Sequence, residues 1–105
     1  MPSFDTYKGI IHALSLPLNA DLSIDFADLQ ALATRLSGLQ GVVALMTNGH
    51  TGDVFSLTVP ERAQVTRAVV EAVGERMPVI SAVVAEGIAA AVDEGLHRRL
   101  PARAA

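Results

Sequence analysis

The stretch "GVVALMTNGHTGDVFSLTVPER", Gly41 to Arg62, runs from an apolar segment through a glycine-bracketed polar loop into a helix start. Its apolar part, Val43 to Thr47, is continuous rather than alternating, as in a strand buried on both faces of a parallel sheet covered by helices. At "TVPE", Thr58 is placed to cap a helix, and Glu61, three residues on, is placed to reach back and complete a capping box. Pro60 falls in the first turn, where no amide partner is lost. Val65, Ala68, Val69, Ala72 and Val73 then recur at helical spacing, and Gly74 closes the helix.

Two similar apolar runs flank this unit, "GIIHAL" from Gly9 to Leu14 and "PVISAVV" from Pro78 to Val84. Between the first run and the central one, Asp25 to Ser37 carries Phe26, Leu29, Leu32, Ala33 and Leu36 on one stripe, with Asp25 as N-cap and Gly38 at the end. A third helix is predicted from Ala85 to about Glu94. The order strand, helix, strand, helix, strand, helix repeats every ~35 residues, the size of right-handed βαβ units. Such units build an open doubly wound sheet or a (β/α)8 barrel, and a barrel takes about 250 residues. In a three-unit α/β chain, the inward faces of Ile10, Ala44, Met46 and Val79 would lack an opposing layer and strand edges would be open, which predicts self-association or molten behaviour.

The chain has 105 residues with a formal charge of −3, and its only basic cluster is Arg98, Arg99 and Arg103, so nucleic acid is not expected as a partner. It has no cysteine, which excludes disulfides and thiolate metal sites. No apolar stretch approaches the ~20 residues of a membrane span, no membrane partner is expected, and a cytoplasmic location is the default. No His, Asp or Glu spacing suits a metal, and neither a metal nor a cofactor is expected. His12, within an apolar strand, reads as a hydrogen-bonded core residue. His97 reads as a solvent-facing tail residue.

The loop "NGHTGD" begins where the second strand ends, the end at which parallel α/β folds bind ligands. Amides around Gly49 and Gly52, the Thr51 hydroxyl and the His50 imidazole together suit an anion such as a carboxylate. The same residues also suit a plain glycine-rich turn with polar filler.

From about Lys8 to Gly95 the order of elements resembles the N-terminal part of the dihydrodipicolinate synthase and N-acetylneuraminate lyase family. "LSLPL" stands where its members have Thr-Pro, "NGHTGD" where they have Gly-Thr-Thr-Gly-Glu, and "SLTVPER" and "MPVISAV" follow in the family's order. The resemblance implies a (β/α)8 barrel, commonly a homo-oligomer, working as a class I aldolase or lyase. A lysine then forms a Schiff base with pyruvate or a related 2-oxo acid. It implies that Thr51 and neighbouring amides hold the substrate carboxylate, with Gly49 and Gly52 as the motif glycines. His50 replaces a threonine that serves a proton relay, which makes His50 the candidate catalytic residue and favours a different 2-oxo acid or aldehyde substrate. Asp53 replaces the motif glutamate, and Leu16 replaces the Thr of Thr-Pro while Pro17 is kept.

The resemblance places the Schiff-base lysine on the sixth strand and a catalytic tyrosine on the fifth. The sole lysine here, Lys8, precedes the first strand at the end away from the loop and reads as a surface charge; Tyr7 beside it reads as packing. Residues 1–95 are therefore expected to be the N-terminal part of a lyase domain and 96–105 an atypical basic tail, from a truncated or frame-shifted reading frame. A chain of this kind is expected to be inactive alone. The alternatives are a non-catalytic assembly fragment and a small carboxylate- or phosphate-binding α/β module.

Overall fold

The computed structural model describes residues 7–97. The tail cluster Arg98, Arg99 and Arg103 and the side chain of His97 lie outside the described residues. The elements run β1 (Ile10–Ala13), α1 (Phe26–Ser37), β2 (Val42–Thr47), α2 (Val59–Val73), β3 (Val79–Ser81) and α3 (Ile88–His97). The three strands form one parallel sheet in the order β1-β2-β3, so β2 is hydrogen-bonded on both sides. Parallel neighbours require crossover connections, and α1 and α2 supply them.

Local chemistry sets the helix ends. Asp25 accepts the Asp28 amide at 3.0 Å, and the α1 C-cap is Gly38. The Thr58 hydroxyl accepts the Glu61 amide at 3.2 Å while the Glu61 carboxylate accepts the Thr58 amide at 2.9 Å, the capping box read from the sequence. Gly74 ends α2 at φ 60°, a conformation that favours glycine. The third helix differs from expectation at its start. The Ala91 amide bonds the Gly87 carbonyl at 2.9 Å, so α3 begins at Ile88, after Glu86 and Gly87, rather than at Ala85.

Register decides which residues reach the helical layer. His12, Leu45 and Val79 are in register, as are Thr47 and Ser81. Leu45 and Val79 pack with Leu29, Ala33 and Leu36 of α1 and with Val65, Val69 and Val73 of α2. Gln30 Nε2 donates to the Ala68 carbonyl at 3.0 Å, tying the two helices together. The opposite face carries Ile11, Ala13, Ala44, Met46 and Ile80. Val79 therefore faces the helices, not the inner face expected for it, because β3 pairs it with Leu45. Ala44, also expected to be uncovered, is buried, its methyl in register with Ile11. Ile10, beside a register shift, is 56% exposed. His12 has Nδ1 buried with no hydrogen-bond partner among the described residues, contrary to the hydrogen-bonded role expected for it.

The capping box yields a two-part prediction. Thr58→Ala should lower the unfolding free energy by about 1 kcal/mol, read from the denaturant midpoint at constant slope. Hydrogen bonds from the Thr58 amide and hydroxyl hold the Glu61 carboxyl below its ordinary range. Its contribution to stability is therefore present above about pH 4.3, the unfolded value, and lost as pH falls through the lower folded value. A Glu61 carboxyl titrating at the model-peptide value by carbon-detected NMR would contradict this.

Candidate functional site

At the end of β2 the chain turns sharply. Asn48 takes φ 63°, a left-handed conformation that asparagine tolerates better than most residues. A 3-10 turn follows over His50–Gly52, closed by the Gly52 amide on the Gly49 carbonyl and the Asp53 amide on the His50 carbonyl, both at 3.1 Å. Asp53 is again left-handed, at φ 55°, and a second 3-10 turn, Val54–Ser56, leads to Thr58 and α2. Val54 is fully buried and anchors the loop.

The residues proposed from sequence separate into two kinds. His50 and Thr51 are exposed at the C-terminal end of the central strand, and the Thr51 hydroxyl makes no hydrogen bond among the described residues. The His50 ring lies against Phe55, centroids 5.2 Å apart and planes tilted by 53°. The two glycines have structural duties that differ from each other. A Cβ on Gly52 would stand 3.2 Å from the Leu14 carbonyl oxygen just after β1, so strand and turn approach closely there and a side chain would fit only if that backbone gave by a few tenths of an ångström. A Cβ on Gly49 would meet only the Met46 sulfur at an ordinary 3.8 Å. Positive φ falls on Asn48 and Asp53, not on either glycine. The amides of Gly52 and Asp53 close the turn, so those at its beginning, around His50 and Thr51, are the ones with no partner inside it.

Other expected residues lie elsewhere. Leu16 is buried in the core cluster, and its side chain offers no hydroxyl. A cleft of about 350 Å³ opens beside the loop between Leu18 and Ile24 on one side and Asp53 and Leu57 on the other. Neither His50 nor Thr51 lines it. Lys8 is exposed at the opposite end of the sheet. Among the described residues, no three His, Cys, Asp or Glu side chains converge on a metal position, and no helix is long and apolar enough to cross a membrane.

Beneath the loop lie two polar groupings that residue spacing did not reveal. Thr47, Asn48 and Thr66 are buried beside Ser81, and Thr47 Oγ1 and Thr66 Oγ1 are 2.8 Å apart. Arg62 is buried beside them: Nε donates to the Val54 carbonyl at 3.1 Å, and Nη1 donates to the Val84 carbonyl at 3.1 Å and to Glu94 Oε1 at 2.8 Å. Glu94 is 2% exposed. One guanidinium thus joins the loop, the segment after β3, and α3. Thr66 lies beside Val65 on the buried side of α2, which was a readable signal. The Arg62–Glu94 pair spans 32 residues and had none.

Residues 6–99 match the Dihydrodipicolinate synthetase family. The chain belongs to that family. It is 38% identical over 77 residues to 4-hydroxy-tetrahydrodipicolinate synthase 2 of Streptomyces coelicolor, a match covering 73% of this chain and 25% of that protein. The chain thus spans about a quarter of the length of this curated relative. Dihydrodipicolinate synthase DapA-2 of Bacillus anthracis superimposes with a TM-score of 0.79 at 29% identity, over 87% of this chain and 31% of that one. The Acinetobacter baumannii dihydrodipicolinate synthase solved in complex with pyruvate gives a TM-score of 0.79 at 23% identity, over 87% of this chain and 31% of that one, and speaks to the fold alone. The parallel α/β fold therefore matches the N-terminal part of the fold of these dihydrodipicolinate synthases.

The buried ion pair generates a prediction of its own. Glu94→Ala leaves the Arg62 guanidinium buried without its counter-charge and should cost about 3–5 kcal/mol, whereas Arg62→Met with Glu94→Leu should recover most of that loss. Chemical denaturation of the parent and the two variants checks it. Equal stability of Glu94→Ala and the parent would show that the pair contributes nothing.

Proposed function

We propose that residues 1–95 are the first three (β/α) units of a (β/α)8 lyase barrel and contribute the carboxylate-holding loop of its active site, with 96–105 a basic tail, although the family match itself runs to residue 99. The reaction is aldolase-type cleavage or condensation of pyruvate or a related 2-oxo acid through a Schiff base. The observation that carries this reading is the position of the His50–Gly52 turn, directly after the central parallel strand, where such folds bind their ligands. The exposed Thr51 hydroxyl and the first amides of the turn are donors suited to a carboxylate, assisted by Gly49 and Gly52, which let the backbone come close. His50, in place of a threonine, brings an imidazole to the position of a proton relay, which favours a substrate other than that of the synthases.

The nucleophile is not among these residues. Lys8 is the only lysine, and the six residues of β2 put roughly 20 Å between the two ends of the sheet. The chain alone is therefore inactive. Incubation with pyruvate and borohydride should leave its mass unchanged, and a stoichiometric adduct on Lys8 would overturn this assignment.

In a complete barrel carrying this loop, Thr51→Val should raise the Michaelis constant about ten- to a hundredfold, the worth of a charge-assisted hydrogen bond. His50→Thr should act mainly on turnover. Steady-state kinetics separate the two, and an unchanged Michaelis constant for Thr51→Val would reduce the loop to a turn.

A second reading, assembly of the chain with another copy or a complementary segment, is favoured by α3. Its Ile88, Val92 and Leu96 recur four residues apart and are 87%, 59% and 61% exposed. Sedimentation should then depend on concentration, and a strictly monomeric species with sharp two-state unfolding would contradict it.

A further inference from the structure

The Asn48 carboxamide is 1% exposed and sits where three elements meet. Its Nδ2 lies 3.0 Å from the Arg62 carbonyl and 3.0 Å from Thr66 Oγ1, both on α2, and 3.3 Å from Ser81 Oγ at the end of β3. The Arg62 carbonyl can only accept, so the nitrogen end of the amide must face it and the orientation of the group is fixed. Its two hydrogens serve the Arg62 carbonyl and Thr66. Thr66 in turn gives its single hydrogen to Ser81 Oγ at 3.0 Å, so the 2.8 Å contact between Thr47 and Thr66 must be donated by Thr47. Thr47 and Thr66 thus each donate once within this cluster, and Asn48 is its only member that lies in the loop. It is also the residue at which the backbone turns left-handed, two positions before His50.

We propose that Asn48 is the positioning residue of the His50–Thr51 loop, its buried carboxamide clamping the end of β2 to α2 and β3 so that the 3-10 turn is held ready for a ligand. The clamp has two parts, a backbone turn that asparagine tolerates and a side chain that locks it, and a glycine would supply only the first. That the loop receives a carboxylate rests on the function proposed above. The clamp does not, and its test uses no substrate, so the two stand or fall separately.

Amide hydrogen exchange of the whole chain provides the test, comparing the parent with Asn48→Asp. That change keeps the shape and the left-handed tolerance but sets oxygen against the Arg62 carbonyl and Thr66. Exchange of the Gly52 and Asp53 amides should accelerate about tenfold or more, the scale of one lost buried hydrogen bond, while the amides of Leu45 and Val69 hold their rates. The nuclear Overhauser contacts between the His50 and Phe55 rings should weaken in the same variant. Should Asn48→Asp fail to fold, Thr66→Val and Thr66→Ser replace it: the valine variant should loosen the same two amides and the serine variant should restore them. Unchanged exchange at Gly52 and Asp53, or acceleration of Leu45 and Val69 to the same extent, would overturn the proposal.

Discussion

The structure depends on β2 having parallel partners on both sides. A central parallel strand must return its chain over the sheet before the next strand can pair, so both connections carry helices, and those helices must cover the same face. Leu45, in register with His12 and Val79, is fully buried against α1 and α2 because of that arrangement. The helical layer, the core and the location of the loop all follow from where this one strand sits.

Its C-terminal end is a place of conflict. The apolar layer that suits Leu45 continues two residues later as Thr47, which meets Thr66 and Ser81, and the next residue, Asn48, brings its amide into the same space. Polar groups buried there stabilise only when paired, and the pairing is close to complete, with Asn48 Oδ1 the one acceptor of the cluster lacking a donor among the described residues. Arg62 repeats the pattern a turn away with a full charge, held by Glu94 and two carbonyls. Both clusters hold the loop from below. Its upper surface carries the exposed His50 and Thr51 and the 71% exposed Phe55.

What could be read in the sequence was what local chemistry determines. The Asp25 cap, the Thr58–Glu61 box, the buried stripe of α2 and the glycine-bracketed loop rest on spacings of a few residues, and each is present. Features that depend on register were not readable: Val79 turned to the helical side because of its pairing with Leu45. The start of α3 at Ile88 rather than Ala85 was not readable either. The loop's glycines were legible as a motif but not in their duties. Left-handed backbone falls on Asn48 and Asp53, and Gly52 sits where Leu14, 38 residues earlier in the chain, passes close by. Asn48, quoted as part of a turn, belongs to a cluster whose other members lie on two different elements, and one sequence does not bring them together.

The central claim is that the turn after β2 seats a 2-oxo acid carboxylate. The most direct measurement is a crystal structure, with pyruvate bound, of a full-length family enzyme in which residues 9–95 of this chain replace their counterparts. The account predicts a carboxylate oxygen at hydrogen-bond distance, about 2.5–3.0 Å, from the Thr51 hydroxyl, with an amide at the start of the His50–Gly52 turn on the same group. Pyruvate bound with its carboxylate held elsewhere, and Thr51 facing solvent, would contradict it.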